Sequence, residues 1–343
     1  MMIRGMKMQL SRRTGRLLGA GLTVAAVLAA AACSVEADPG SKSSGAAECG
    51  TGKEFSIGMS QANNAEPYRQ VMNDDIKRAA KKVKGFSVTV SDAAQDNSKQ
   101  VSQVEDFITQ QVDLLIISPN EATPLTQVVK KAYDGGIPVI VLDRKVDGDA
   151  YTAFIGGDNT AIGKAMGEYY ATTMLPDGGR VVEISGLAGS TPAAERTKGF
   201  ADGIKSNPKV KIVESQSGEW LREKGQSVMD TVLKSNPDID AVYSQNDPMA
   251  EGAYLAAKSA GVQDKIKFTG IDGLAIASGG IKAVQQGRLQ ATYVYPTGGR
   301  EAVELAKQIL VDCKSDVEKD TTLPGELVTK DNAAEVYTKL GGS

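Results

Sequence analysis

Short β-branched and apolar runs alternate with segments of helical period along nearly the whole chain, and no other feature limits the fold as tightly. The run "EFSIGMS" precedes Tyr68, Val71, Met72, Ile76, Ala79, Ala80 and Val83, which share one helical face, and "FSVTV" comes next. This is a βαβ pattern. It continues through Val101, Val104, Phe107 and Ile108, the strand "DLLIIS", a helix around Leu125 to Tyr133 and the strand "IPVIVLD". Strands that are apolar throughout, set between amphipathic helices, predict a parallel sheet covered on both faces.

After "IGGDN" the pattern starts again. Helices are predicted at 161–174, 193–206, 222–235, 249–260 and 275–286, with strands "RVVEIS", "KVKIVES", "DAVYSQ" and "KIKFTGID" between them. A chain of 343 residues, 41% of them hydrophobic, can fill two cores of ordinary size. Two α/β halves joined by short crossovers can hinge about a cleft, and ligands of such sheets sit beyond the carboxyl ends of the strands.

Residues 1–32 differ in kind. Arg4, Lys7, Arg12, Arg13 and Arg16 precede an apolar run from Leu17 to Ala32 that ends in small residues before Cys33. This is the pattern of an export signal, shorter than the ~20 apolar residues a membrane span needs. "LAAAACS" resembles a bacterial lipobox, which makes Cys33 the expected lipidation site. Residues 33–52, rich in Ser, Gly and Ala, read as a flexible tether between lipid and fold. Removing residues 1–32 takes away five basic and no acidic residues, so the formal charge falls from −3 to −8. An acidic body argues against a nucleic-acid partner.

The absence of histidine excludes His-based triads and His zinc ligands and removes the commonest general base. "ECGTGKEF" contains Gly52-Lys53 but has Ala47 and Glu54 where a P-loop needs Gly and Ser or Thr. Neither a cofactor nor a metal is expected.

Polar residues gather where strands end: Asp143 and Arg144 after "VIVL", Asp158 and Asn159 after "AFIGG", Asn246 and Asp247 after "VYSQ", and Asp272 after "FTGI". Any one of them suits a helix N-cap or a turn, where Asp and Asn are favoured. Four such endings in one chain point to a shared site. Carboxylates accept hydrogen bonds, Arg supplies a planar fork of donors and Asn offers both, a set suited to a neutral polyhydroxyl ligand. Trp220, the only tryptophan, follows "KVKIVES" and could pack on the C–H face of a sugar or simply fill a core.

From about Glu54 to Lys330 the chain resembles the type I periplasmic sugar-binding proteins of ABC importers, the ribose-, galactose- and galactofuranose-binding group. The resemblance is carried by "DRKVDG", "GGDNTAIG", "GLAGSTPAAERTKGF", "SQSGEWLREKG", "AVYSQNDPMAEGA", "FTGIDG" and "GRLQATYVYP", in that order. It implies two Rossmann-like lobes that close over one ligand like a clamshell, the closed form then docking on a permease. It also implies ligand-binding roles for Asp143, Arg144, Arg196, Trp220, Asn246 and Asp272, to which strand-end position adds Asp158. In the first cleft loop, "SQANNAEPYRQ" is two residues longer than the ribose-type loop and places Tyr68 and Arg69 where that type has two aromatic rings. The loop is more similar to the galactofuranose-binding branch, which adds Arg69 as a donor, Glu66 as an acceptor and Tyr68 to the expected site. Tyr295, where ribose-type proteins carry Gln, reads as packing near the crossover.

In the topology of that family, residues 53–157 and 296–319 form the N-terminal lobe, and residues 158–295 and 320–343 the C-terminal lobe. The first strand and the helix from Gly298 then reach the same edge far from the cleft, which permits a Cys49–Cys313 disulfide. The expected protein is a monomeric, lipid-anchored, non-catalytic receptor for a monosaccharide or related polyol, with an ABC permease as partner. A transcription regulator of the same fold would carry a helix-turn-helix where this chain has a signal sequence. A glycosidase reading of the paired carboxylates is weaker, because hydroxyl acceptance explains them. A sensing partner, a chemoreceptor or sensor kinase, remains the alternative.

Overall fold

The computed structural model describes residues 49–342. The signal segment 1–32, Cys33 and most of the tether lie outside the described residues. The first half runs β1 (Phe55–Gln61), α1 (Pro67–Ala80), β2 (Phe86–Asp92), α2 (Asn97–Thr109), β3 (Leu114–Ser118), α3 (Ala122–Asp134), β4 (Val139–Leu142) and β5 (Ala153–Gly157). The second runs α4 (Asn159–Tyr169), β6 (Gly179–Ser185), α5 (Thr191–Gly203), β7 (Val210–Ser217), α6 (Arg222–Ser235), β8 (Ala241–Ser244), α7 (Asp247–Ser259), β9 (Lys267–Thr269), α8 (Gly280–Gln285) and β10 (Ala291–Tyr293). The chain then returns through α9 (Gly299–Leu310) and β11 (Asp320–Leu323) and ends with β12 (Leu327–Thr329) and α10 (Ala333–Lys339).

Two six-stranded sheets result, ordered β11-β5-β4-β3-β1-β2 and β12-β10-β9-β8-β6-β7. All pairings are parallel except β10 with β12. Strands β3, β4 and β5 are buried at every position, as a sheet covered by helices on both faces requires. Each sheet with its helices is one lobe, and the chain crosses between lobes three times, after β5, after β10 and after β11.

Three differences from the sequence expectation have physical causes. Asp320–Leu323 pairs in parallel with β5, so the last crossing falls after Leu323 and not at residue 319. The tether expected to run to residue 52 is held from residue 49, where the expected disulfide joins Cys49 to Cys313, Cα to Cα 5.4 Å, and the Gly50 amide donates to the Leu310 carbonyl at 2.9 Å. The helix expected at 275–286 is shortened to α8 because the preceding residues form a loop, and Gly280 packs so closely on Asp247 that a Cβ there would lie 2.0 Å from its carboxylate.

Candidate functional site

Between the lobes lies a small cavity lined by Glu66, Tyr68, Arg69, Asp143, Arg144, Pro192, Arg196, Trp220, Asn246, Asp272 and Tyr295. Every lining residue stands beyond the carboxyl end of a parallel strand or in the first two turns of the helix that follows. The strands therefore fix the position of the site and the loops supply its chemistry.

The N-terminal lobe contributes a charged cluster. Arg69, in the first turn of α1, donates through Nη1 to Asp143 Oδ2 at 2.7 Å and to Ser118 Oγ at 2.7 Å. Arg144 donates through Nη1 to the Asn120 carbonyl at 2.9 Å, and its Nε lies 3.8 Å from Asp143 Oδ2. Burial alone would raise the Asp143 pKa, but Arg69 and then Arg144 outweigh it and hold the carboxyl below its ordinary value. Arg144 is pushed down to about 10, first by burial and then by Arg69, and stays cationic at neutral pH. Glu66 accepts from Asn63 Nδ2 at 2.8 Å.

From the C-terminal lobe, Arg196 donates through Nε to Asn159 Oδ1 at 2.8 Å and through Nη1 to the Gln245 carbonyl at 2.5 Å. Trp220 lies between two guanidiniums, with the Arg144 Cζ 5.4 Å and the Arg196 Cζ 5.5 Å from its ring centre, within cation–π range. Its close packing needs Gly186, where a Cβ would fall 2.0 Å from the indole. Asn246 caps α7 by accepting from the Met249 amide at 3.0 Å and donates to the Trp220 carbonyl at 2.9 Å. Near the crossover, Tyr68 and Tyr295 stack with centroids 5.5 Å apart.

Nine of the ten residues expected to bind ligand thus line one cavity. The tenth, Asp158, does not. It is exposed and caps α4, accepting from the Ala161 amide at 2.9 Å. The next residue, Asn159, turns inward to hold Arg196, because successive side chains at a helix start point in different directions. Tyr295 belongs to the lining and donates to the Asp143 carbonyl at 3.4 Å, so it does more than pack at the crossover. Pro192 was not expected; its only sequence signal is the Ser-Thr-Pro opening of a helix.

Three guanidiniums and three carboxylates line the cavity, so their formal charges cancel. Arg69 Nε, Arg144 Nε and Trp220 Nε1 are buried with no hydrogen-bond partner among the described residues. The Asp272 carboxylate is buried and makes no hydrogen bond within the protein, and burial, followed by the charge of Asp247, pushes its pKa well above the usual range. Donors and acceptors thus coexist in a charge-balanced, aromatic-walled space, which suits a neutral molecule rich in hydroxyl groups. Among the described residues, no group of three or more acidic or Cys side chains could hold a metal ion, and no helix is long and apolar enough to cross a membrane.

Two lobes closed on such a cavity define a solute-binding protein of the clamshell type. The chain belongs to the periplasmic binding protein family: residues 57–313 match its periplasmic binding protein domain. It is 34% identical to the ribose import binding protein RbsB of Bacillus subtilis, over 87% of this chain and 94% of that protein. It is 33% identical to the galactofuranose-binding protein YtfQ of Escherichia coli, over 80% of this chain and 85% of that protein. Among solved structures, the fructose-binding periplasmic domain of the hybrid two-component system BT1754 is 43% identical, with a TM-score of 0.80 over 83% of this chain and 94% of that one. These relatives are substrate-binding proteins rather than enzymes.

Proposed function

We propose that this protein captures a neutral monosaccharide or related polyol in the interlobe cavity and delivers it to an ABC permease, acting as a monomer anchored by lipid on Cys33. The observation that carries the reading is the composition of the cavity: both lobes supply charged hydrogen-bonding groups, the charges cancel, and aromatic rings close the sides. A ligand that bonds Arg69, Asp143 and Arg144 on one lobe and Arg196, Asn246 and Asp272 on the other stabilises the closed form over the open one, because only closure brings both sets within reach. Relatives named for ribose import, galactofuranose and fructose support a small sugar.

The test is a thermal-shift screen of the purified protein against pentoses, hexoses, furanose-rich sugars and polyols, with calorimetry on each hit. Ligand binding to the native state raises Tm by mass action. A rise of several degrees with one sugar class establishes the function, and no rise with any of them removes it. Mass spectrometry of the membrane fraction tests acylation at Cys33, and Cys33→Ala should release the protein from the membrane.

The likeness to a domain of a two-component system favours a second reading with the same ligand and a kinase as partner. Loss of sugar uptake on deletion of this protein supports delivery; unchanged uptake with lost sugar-induced transcription supports sensing.

A further inference from the structure

We infer that Asp247, which is not among the residues lining the cavity, is a positioning residue that holds Asp272 in its ligand-facing conformation. This rests on the sugar-binding reading for its consequence, but not for the clamp itself.

Asp272 is an unlikely residue to stay in place unaided. Its φ is 137°, a region L-residues rarely adopt, and its carboxylate has no hydrogen bond within the protein to orient it. Its direction is therefore set by the backbone on either side. On one side, the Asp272 amide donates to the Tyr293 carbonyl at 3.0 Å and the Asp272 carbonyl accepts from the Tyr295 amide at 2.9 Å, which ties the residue to the end of β10 and the chain after it but leaves the next amide, on Gly273, to be held from elsewhere. On the other, Gly273 has φ 57°, and its amide donates to Asp247 Oδ2 at 2.9 Å.

Asp247, buried, ties the Ile271–Gly273 turn to β10. Besides Gly273, it accepts from Thr292 Oγ1 on β10 at 2.7 Å, and its own amide donates to the Ile271 carbonyl at 2.7 Å. Gly270 and Gly280 leave the space it occupies, since a Cβ at either would come within 2.2 Å and 2.0 Å of its carboxylate. The residues before and after Asp272 are thus both bonded to Asp247, while Asp247 itself does not line the cavity. Without the acceptor, the Gly273 amide loses its partner and the turn is free to relax to an ordinary φ, which swings Asp272 away from the cavity.

Asp247→Ala, Asp272→Asn and the double variant test this against wild type. In ligand-free protein, hydrogen–deuterium exchange at the Gly273 amide should be at least tenfold faster in Asp247→Ala, with the amides of β6 and β8 unchanged. Unchanged exchange at Gly273 overturns the inference. By calorimetry with whichever of D-ribose, D-fructose and D-galactose binds wild type, Asp247→Ala should weaken binding at least tenfold, but less than twofold when Asp272 is already Asn. Equal losses in the two backgrounds overturn the inference, because they mean Asp247 acts independently of Asp272. If wild type binds none of the three sugars, the exchange result alone decides the clamp, while the sugar reading is decided by the full thermal-shift panel. If Asp247→Ala does not fold, Thr292→Val removes only the hydroxyl donor and should show the same pattern at smaller amplitude.

Discussion

Replacing Asp143 by Asn isolates the charge at the centre of the N-terminal half of the site. Asn is the right probe because Asp143 has φ 69°, which Asn tolerates better than Ala, so backbone strain is nearly unchanged. What changes is electrostatic. Arg69 Nη1 loses a carboxylate partner at 2.7 Å, and Arg144 loses a countercharge at 3.8 Å. At an effective dielectric of ~20, a unit pair about 4 Å apart interacts by about 4 kcal/mol. Solvation regained when the cleft opens offsets part of this for the free protein, but not for the closed, liganded form. About 2 kcal/mol should therefore fall on binding, the scale of one charge-assisted hydrogen bond, or ~30-fold in Kd. Calorimetry with the sugar that binds wild type gives Kd, and a ligand-free thermal melt shows whether the fold is kept. A Kd within threefold of wild type refutes the reasoning. A collapsed Tm with affinity spared would make Asp143 a structural residue instead.

Asp158→Ala should cost about 1 kcal/mol of stability through loss of the α4 cap and leave Kd unchanged; a weakened Kd in titration would return Asp158 to the site. Cys313→Ser should lower the urea midpoint of the oxidised protein by the equivalent of about 2–4 kcal/mol without altering affinity; identical midpoints would mean that the disulfide adds nothing. Trp220 is the only tryptophan, so ligand binding should change the protein's intrinsic fluorescence, and Trp220→Phe should abolish that signal; a silent titration with a sugar that calorimetry shows to bind would place Trp220 away from the ligand. Burial pushes the Asp247 carboxyl up to about 6, although hydrogen bonds from Thr292 and Gly273 oppose the rise. A carboxyl whose folded pKa exceeds its unfolded ~3.9 contributes stability that is present below the unfolded value and lost as pH rises through the folded one. The ligand-free protein should therefore be more stable at pH 5 than at pH 7, with Asp247→Asn and Asp272→Asn each reducing the difference, because both carboxyls are raised and the charge of Asp247 contributes to the rise at Asp272; a melt that weakens steadily from pH 7 to pH 5 would contradict this.

The fold was legible because its signal is repetitive. Each buried strand announces itself as an apolar run, and each helix as a stripe, so errors in one element do not alter the architecture. The expected helix 222–235 matches α6 to the residue, whereas 275–286 overextends α8, because the close contact of Gly280 with Asp247 is a tertiary fact that no local window contains. The same limit explains the site. Strand-end position showed which loops face the cleft, and the residues implied by resemblance gather there, but position alone could not separate Asp158 from Asn159. One residue of phase at the start of α4 decides which of them caps the helix and which turns inward to Arg196.

That second layer governs the first. Of the lining residues, Asp143, Trp220 and Asp272 are non-glycine residues at positive φ, 69°, 69° and 137°. Conformations of this kind cost on the order of 1–3 kcal/mol each and persist only where neighbouring bonds over-determine them. Each has such bonds: the Asp143 amide donates to the Ile155 carbonyl at 2.8 Å, the Trp220 carbonyl accepts from Asn246 at 2.9 Å, and the Asp272 carbonyl accepts from the Tyr295 amide at 2.9 Å. These bonds belong to the protein whether or not a ligand is present, so the orientation of all three side chains is set before binding and less conformational freedom is lost on capture. Substitutions in this supporting layer should then change affinity without removing a ligand contact, which makes the discrimination between sugars a property of the loops and their anchors together rather than of the lining alone.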